Sequence, residues 1–212
     1  MKTVIVTGAS GKLGPVVRSL FEEKGWQVLS QYNTCSCAGR SIPADFRVMS
    51  ADSFVRRCHD MTGDADLLVN CFSSYEASSI AHSTWETFSG ELFLNAWQPF
   101  DLCRSFFSLN PGSCAVNVLD TRITGSDPEH FEYHMSKSLL RDLTVELARA
   151  YAPLHRVNAV APGLTETGSG RALPLQRPGT YEDIARAILY LAEAEYTTGQ
   201  IVFVDGGRHI RG

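Results

Sequence analysis

The feature that most constrains the fold of this chain is the alternation of short, β-branched apolar runs with longer segments of helical periodicity. This alternation is typical of βαβ units, which build a parallel sheet with helices on both faces. The predicted strands cover residues 3–7, 27–31, 41–44, 66–70, 113–119, 156–160 and 201–204. The predicted helices lie near residues 13–24, 50–61, 84–109, 132–150 and 180–193. The sequence therefore predicts an α/β fold, doubly wound, with a mostly parallel seven-stranded sheet.

Three segments depart from a regular pattern. Pro99 could break the third helix, since proline removes a backbone donor inside a helix. Only nine residues, 32–40, separate the second and third strands; a helical crossover needs at least roughly 10–12, so we expect a loop there. The link from Gly163 to the helix near residue 180 is rich in Gly, Thr and Pro. Because ligands bind beyond the carboxyl ends of the strands, this link is predicted to form a lid.

Composition narrows the class of protein. The 212 residues contain no repeat or linker, so we expect a single domain over 1–212. A net charge of −4 gives no reason to expect nucleic acid as a partner, and no apolar run reaches the roughly 18 residues of a membrane span. The first strand starts at once without a signal peptide, so the six scattered cysteines are expected to be reduced thiols in a cytoplasmic protein. Only Cys35 and Cys37 are close, and no metal site is expected.

A glycine-rich turn, TGASGKLG, follows the first strand at residues 7–14. Backbone N–H groups in such a turn approach a phosphate closely, and the dipole of the following helix favours the negative charge. A plain strand-to-helix turn is the alternative, but the position after the first strand favours dinucleotide binding. The residues of the turn predicted to contact the dinucleotide are Gly8, Ser10, Lys12, Leu13 and Gly14.

The charge near this turn favours NADP(H) over NAD(H). An NAD-preferring site usually carries an acidic residue about 20 positions beyond the turn, where it binds the ribose 2′-hydroxyl. No Asp or Glu occurs at 24–44, and the second strand ends in the neutral segment SQYNT, which includes Asn33. Lys12 could contact a 2′-phosphate with help from Arg40. The alternative is that Lys12 points to solvent, as most lysines do.

Tyr133 and Lys137, in the segment YHMSK, are the strongest catalytic signal in the chain. Residues four apart on a helix share a face, so the hydroxyl and the ammonium can point into one cleft. A free tyrosine has a pKa of about 10. A neighbouring ammonium and an oxidised nicotinamide both favour the phenolate, so we expect the pKa of Tyr133 to be lowered.

In this order along the chain, the motifs resemble those of the short-chain dehydrogenase/reductase family. The matching positions are Thr7-Gly8 with Gly14, Asn70, Asn95, Tyr133 with Lys137, Pro162-Gly163 and Asp205-Gly206-Gly207. The resemblance covers essentially the whole chain and implies a Rossmann-type fold and an oxidoreductase. It implies that Tyr133 is the general acid/base, that Lys137 binds the nicotinamide ribose and that Asn95 supports a water relay. By the same resemblance, the cofactor contacts also include Asp45, Asn70, Lys137, Pro162 and Gly163.

At three places the chain departs from the usual motifs of this family, and there it resembles one branch, the pteridine reductases and dihydromonapterin reductases. Asp120 stands 13 positions before Tyr133, where the family usually has Ser, and Lys12 replaces a glycine of the turn. The usual Asn-Asn-Ala-Gly is here Asn-Cys-Phe-Ser, so Ser73 and Tyr75 stand where this branch has a serine and an aromatic residue. The resemblance implies that a dihydropterin receives a hydride on carbon and a proton on nitrogen. Asp120 and Tyr133 would manage the proton, and Tyr75 would stack on the ring.

Other interpretations stay open. Asp120 could be a strand-end residue bonded to backbone, and Tyr75 a loop aromatic. The enzyme could instead reduce a ketone or an acyl thioester on the same fold, or the protein could bind NADP without turnover as a sensor or scaffold. The resemblance further implies a homotetramer or dimer that pairs through the helices at 84–109 and 132–150. In that assembly the tail at 208–212 could approach a neighbour's active site.

Overall fold

The computed structural model describes residues 1–166 and 170–211. Its strands are β1 (Thr3–Thr7), β2 (Gln27–Tyr32), β3 (Ser41–Pro43), β4 (Leu67–Asn70), β5 (Cys114–Val118), β6 (Arg156–Pro162) and β7 (Ile201–Val204). Its α-helices are α1 (Gly14–Glu23), α2 (Ala51–Thr62), α3 (Trp85–Leu92), α4 (Gln98–Leu109), α5 (Phe131–Tyr151) and α6 (Tyr181–Glu193). Among these residues no helix is long and apolar enough to cross a membrane.

The seven strands form one sheet in the order β3-β2-β1-β4-β5-β6-β7, and each neighbouring pair is parallel. The predicted α/β fold with a doubly wound sheet is therefore confirmed. The direction of winding reverses between β1 and β4, which lie side by side in the sheet. In open α/β sheets a crevice forms at this reversal, beyond the carboxyl ends of the strands.

Successive side chains of the central strands point to opposite faces of the sheet, so the core is divided into a cluster on each face. Ile5 of β1 packs in one cluster with Phe54 of α2 and Phe106 of α4. Val4 and Val6, its neighbours in sequence, point to the opposite face and join the cluster beneath α1 and α6. Each large apolar side chain buried in this way contributes roughly 1.5–3 kcal/mol, so the two faces together hold the sheet rigid under the site.

The helix predicted at 84–109 is not broken at Pro99, so that expectation was wrong. The chain remains helical from α3 to α4 through one π-helical segment, Phe93–Trp97, and Pro99 lies in the first turn of α4. Proline has no N–H to donate to the carbonyl of Asn95 four residues earlier. The π segment absorbs this loss, because the N–H of Gln98 donates to the carbonyl of Phe93, five residues back.

Two predicted loops have different outcomes. Between β2 and β3 the structure has only bends and irregular backbone over residues 33–40, so the expected loss of a helix is confirmed. The link predicted to act as a lid includes residues 167–169, which lie outside the described residues. Its two flanks are joined by a parallel bridge between Thr165 and Gly179.

Candidate active site

A cleft of about 440 Å³ lies beyond the carboxyl ends of β1, β2, β3 and β4. Four of the predicted cofactor residues line it, namely Gly8, Ser10, Asn33 and Asp45. The loop after β4 supplies the facing wall with Phe72, Ser73 and Tyr75. The parallel sheet thus brings the glycine-rich turn and the loop after β4 to opposite sides of one opening.

The glycine turn is packed so closely that it tolerates no side chain at two positions. Gly8 has a φ of +65°, and a Cβ there would lie 2.6 Å from the Cα of Phe72. A Cβ on Gly14 would overlap the backbone of Ala9. Replacing either glycine would push β1, α1 and the loop after β4 apart. The open turn at the start of α1 fits the phosphates of a dinucleotide.

Gln31, which the sequence analysis did not single out, supports this turn from β2. Its side-chain oxygen accepts a hydrogen bond from the N–H of Gly8 at 2.7 Å, and its amide nitrogen donates to the carbonyl of Ala44 at 2.7 Å. The amide therefore ties the turn to the end of β3. The sequence signal for this role was an uncharged amide at the end of the second strand. Its partner, Gly8, is 23 residues away, so no local pattern indicates the contact.

The other predicted cofactor residues occupy different environments. Lys12 is exposed at the turn, whereas the guanidinium of Arg40 donates to the carbonyl of Met61 at 2.6 Å and so is held there. Leu13 packs its side chain against the core. Asn70 is 1% exposed, and its amide donates to the side chain of Asn117 at 2.9 Å. Its side chain therefore braces the strand ends inside the core.

At the end of β6, Pro162 and Gly163 approach the segment after β7, residues 205–211, here called the C-terminal turn. The N–H of Gly163 donates to the carbonyl of Val204 at 3.0 Å. A Cβ on Gly163 would lie 2.6 Å from the Cα of Asp205. This close contact explains a glycine here, since the backbone can pass over β7 only without a side chain.

Tyr133 and Asp120 meet directly. The hydroxyl of Tyr133, which is 6% exposed, donates to Oδ2 of Asp120 at 3.2 Å. Burial raises the pKa of Tyr133 well above 10, and the charge of Asp120 raises it further. The expectation of a lowered pKa was therefore wrong for the protein alone. The main reason is burial, which disfavours the phenolate, and the second is that the charge nearest the hydroxyl is the carboxylate of Asp120.

Lys137 is buried one helical turn beyond Tyr133. Its Nζ donates to the carbonyl of Val118 at 2.9 Å and lies 5.7 Å from the centre of the Tyr133 ring. Burial lowers the pKa of Lys137 to about 8, although the charge of Asp120 opposes that change. The ammonium thus shares one pocket with Asp120 and Tyr133, as the spacing on the helix predicts.

Asp120 also makes the backbone contact of a strand-end residue. Oδ1 accepts from the N–H of Arg122 at 2.8 Å, and Oδ2 lies 3.3 Å from the Arg122 guanidinium. The guanidinium in turn pairs with Asp127 at 2.6 Å. Arg122 thus holds the Asp120 carboxylate against Tyr133, a role that the sequence analysis missed although it lies two residues further on.

Asn95, at the centre of the π segment, is fully buried and bonded through both side-chain polar atoms. Its oxygen accepts from the hydroxyl of Ser73 at 3.0 Å and from the N–H of Ser74 at 2.9 Å. Its nitrogen donates to Glu91 at 2.6 Å and to the hydroxyl of Ser136 at 3.2 Å. The Asn95 side chain therefore anchors the loop after β4 to α5.

Glu91 is a further residue that the sequence analysis missed. It is 9% exposed, lies one helical turn before Asn95 and also accepts a hydrogen bond from the hydroxyl of Ser74. Its carboxylate also interacts electrostatically with Lys137 and raises the pKa of that lysine, against the larger lowering by burial. Its four-residue spacing from Asn95 was the available signal.

Tyr75 forms the outer wall of the pocket. Its ring lies edge-on to Tyr133, with centroids 4.8 Å apart, and stacks on the His130 imidazole at 4.5 Å. The Arg122 guanidinium lies 5.1 Å from the ring centre. Tyr75 is still 47% exposed. The structure thus brings Tyr75 to Tyr133, and Ser73 lies nearby but bonds to Asn95.

A parallel doubly wound sheet, a glycine turn and a buried Tyr–Lys pair together define a nicotinamide-dependent oxidoreductase. The chain belongs to the short-chain dehydrogenase/reductase family: the family profile described as Enoyl-(Acyl carrier protein) reductase matches residues 42–209. It is 30% identical to a 3alpha-hydroxysteroid dehydrogenase of Mediterraneibacter gnavus, over 97% of this chain and 96% of that protein.

Similarity to other proteins extends over the same length. Carbonyl reductase family member 4 of Danio rerio is 26% identical over 97% of each chain. The solved structure of FolM alternative dihydrofolate reductase 1 from Brucella suis in complex with NADP is 27% identical. That structure superposes with a TM-score of 0.92 and covers 100% of this chain and 96% of its own.

Proposed function

We propose that this protein is an NADPH-dependent reductase of a dihydropterin-like ring. The observation that carries the proposal is the carboxylate of Asp120, 3.2 Å from the Tyr133 hydroxyl, where the family usually has a serine. A serine hydroxyl can donate a hydrogen bond to a ketone oxygen, whereas a carboxylate cannot. A carboxylate suits a substrate that accepts its proton on a ring nitrogen. The similarity to FolM alternative dihydrofolate reductase 1 supports this interpretation.

Contacts in the pocket support the catalytic roles that we propose. Bound NADPH supplies the hydride, and the residues of this chain manage the proton. Tyr133 holds a proton at Oη, because burial and Asp120 keep its pKa high, and donates it as the general acid. Asp120 accepts a hydrogen bond from the Tyr133 hydroxyl. After Tyr133 has given up its proton, Asp120 would pass a proton from solvent back to the phenolate. Lys137 binds the nicotinamide ribose and supports the phenolate when it forms.

The remaining residues of the proposed site hold the two ligands. The proposed cofactor contacts are Gly8, Ser10, Lys12, Leu13, Gly14, Asn33, Asp45, Asn70, Lys137, Pro162 and Gly163, of which Leu13 and Asn70 would act through their backbone. Ser73 and Tyr75 would line the substrate side. Because the side chain of Asn95 is fully bonded, Asn95 would support the water relay through its backbone. The neutral end of β2 and the exposed Lys12 favour the 2′-phosphate of NADP(H).

Cofactor preference gives the first test. We expect NADPH to bind more tightly than NADH, and Lys12→Ala to reduce that preference roughly tenfold or more, the loss typical of a charge-assisted hydrogen bond. Fluorescence titration with both cofactors measures it, with Lys24→Ala, a surface lysine at the end of α1, as the matched control. Equal affinity of the unmodified protein for the two cofactors would contradict the proposal.

The substrate is tested by comparing NADPH oxidation with 7,8-dihydropterins and with a β-keto thioester. We expect the pterins to be reduced and the thioester to be a poor substrate. Asp120→Ser restores the common family residue, so it should weaken pterin reduction more than it weakens NADPH binding. Good reduction of the thioester, with no turnover of any pterin, would replace this proposal with the alternative.

That alternative is an NADPH-dependent reductase of a ketone or a 3-oxoacyl thioester. Two relatives favour it, because their names, 3alpha-hydroxysteroid dehydrogenase and carbonyl reductase family member 4, refer to alcohol and carbonyl chemistry. In that case the Arg122 guanidinium, which lies 3.3 Å from Oδ2 of Asp120, would supply a cationic hydrogen-bond donor for the carbonyl oxygen. Asp120→Ser would then raise ketone reduction, opposite in sign to the effect on pterins.

Assembly gives a further expectation, a homotetramer or dimer built through the central helices. Apolar side chains on α3 to α5 and the π segment are exposed in the single chain, namely Trp85, Phe93, Trp97, Met135, Leu139 and Val145. Exposed apolar side chains that line neighbouring helices mark an interaction surface. Light scattering should give two or four times the mass of one chain, and Trp97→Glu should lower that mass. A monodisperse monomer at micromolar concentration would contradict the prediction.

A further inference from the structure

A second cavity, of about 630 Å³, is lined by the loop that follows Asp120, residues 121–130, here called the catalytic loop. One wall starts at Thr121 and Arg122, which directly follow Asp120 in the chain. The C-terminal turn supplies the opposite wall with Arg208 and Arg211. The cavity is therefore next to the residues proposed to handle the proton, and none of the cofactor residues lines it.

The unbalanced charge on this cavity is positive. Arg122 is already paired with Asp120 and Asp127. Within the described chain, Arg208 and Arg211 have no hydrogen-bond or ion-pair partner for their guanidinium groups. Two free guanidiniums therefore face the cavity, against the single unpaired carboxylate of Glu129.

Asp205 holds the C-terminal turn against the catalytic loop. Its buried carboxylate accepts from the hydroxyl of Thr121 at 2.6 Å and from the N–H of His209 at 2.7 Å. Burial opposes ionisation of Asp205, but the hydrogen bonds from Thr121 and His209 outweigh it and lower the pKa. The His209 ring also stacks on Phe203, with centroids 4.2 Å apart. Arg208 and Arg211 are thus carried on a backbone that is fixed to the residue after Asp120.

We propose that this cavity binds an anionic group, a carboxylate or a phosphate ester, on the tail of the substrate. Guanidinium groups match both anions with paired N–H donors, and the hydroxyls of Thr124 and Ser126 line the same cavity. The reducible ring would then lie at Tyr133 and the charged tail at Arg208 and Arg211. The location beside the ring rests on the proposed function, whereas the affinity for an anion does not.

The test compares two dihydropterins that differ in the charge of the tail. 7,8-Dihydrofolate carries two carboxylates, and 7,8-dihydrobiopterin carries a neutral polyol. In the double variant Arg208→Ala/Arg211→Ala we expect the KM for dihydrofolate to rise roughly tenfold, with kcat within about twofold. The KM for dihydrobiopterin should not change. The variant Arg208→Lys/Arg211→Lys keeps the charge and should recover part of the loss, and Arg186→Ala on α6 is the surface control.

A binding experiment separates this proposal from the proposed function. Calorimetric titration of p-aminobenzoyl-glutamate, the tail without the pterin ring, is carried out with saturating NADP so that the cofactor site is filled. Binding by the unmodified protein and its loss in the double alanine variant support the anion site even if no pterin is reduced. If the probe does not bind and the dihydrofolate KM of the double variant stays within twofold, the anion site is wrong.

Discussion

Tyr133→Phe should lower the turnover of the reducible substrate by roughly 10²–10⁴-fold, the loss typical of a missing general acid. The phenylalanine ring keeps the edge contact with Tyr75 and the packing of α5, so the fold should be unchanged. Only the hydroxyl that donates to Asp120 is removed. Steady-state NADPH oxidation measures the loss, and a fluorescence titration of NADPH should give an affinity close to that of the unmodified protein.

The matched control for this variant is Tyr196→Phe, because Tyr196 is fully exposed beyond α6. That variant should keep full activity. Since the pKa of Tyr133 lies well above 10 in the protein alone, its hydroxyl stays protonated across the pH range of an ordinary assay. A loss of less than tenfold in Tyr133→Phe would mean that another group donates the proton.

Lys137→Met should lower kcat/KM by roughly 10²–10³-fold, the range seen when one preorganised electrostatic contact is lost. It should also remove a step from the pH profile. The pKa of Lys137 is lowered to about 8 by burial, so its ammonium is present below that pH and lost above it. The kcat/KM of the unmodified enzyme should therefore fall as the pH rises through about 8, and the methionine variant should show no such step.

Thermal stability gives a second measurement on Lys137. Its contribution to stability should rise with pH, whereas kcat/KM should fall. The pKa of Lys137 is lower in the folded protein than the value of 10.5 for a free lysine. Between about 8 and 10.5 the unfolded chain holds more protons, so the contribution of Lys137 to the free energy of unfolding rises with pH. Below that window the buried charge costs stability. Lys137→Met should thus melt no lower than the unmodified protein at pH 7, with Lys24→Met as control; a clear drop would contradict this.

Much of the fold and part of the site could be predicted from local patterns. The alternation of strand and helix periods places every strand, because a buried parallel strand needs a continuous apolar run. The spacing of Tyr133 and Lys137 predicts a shared face, because helical geometry depends only on neighbours in the chain. The sequence also shows Asp120 at the position 13 residues before Tyr133. In the structure its carboxylate accepts a hydrogen bond from the Tyr133 hydroxyl at 3.2 Å.

Contacts between distant segments could not be predicted in this way. Gln31 supports Gly8 across 23 residues, and Thr121 bonds to Asp205 across 84. Both pairs depend on the order of strands in the sheet, which no local periodicity encodes. Glu91 was missed for a related reason: four-residue spacing predicts a shared helix face, but only the packed loop after β4 turns that face toward the pocket.

By itself, the sequence determined the class of fold, the glycine turn and the pairing of Tyr133 with Lys137 on one helix face, since each depends on residues that are close in the chain. Only the tertiary structure decided the electrostatics of the pocket. Burial raises the pKa of Tyr133 and lowers that of Lys137, and both shifts depend on how much water the surrounding side chains exclude. The same holds for the cavity at Arg208 and Arg211. Its charge becomes visible only when the end of the chain is folded against the catalytic loop, because electrostatic interactions follow distance in space rather than distance in sequence.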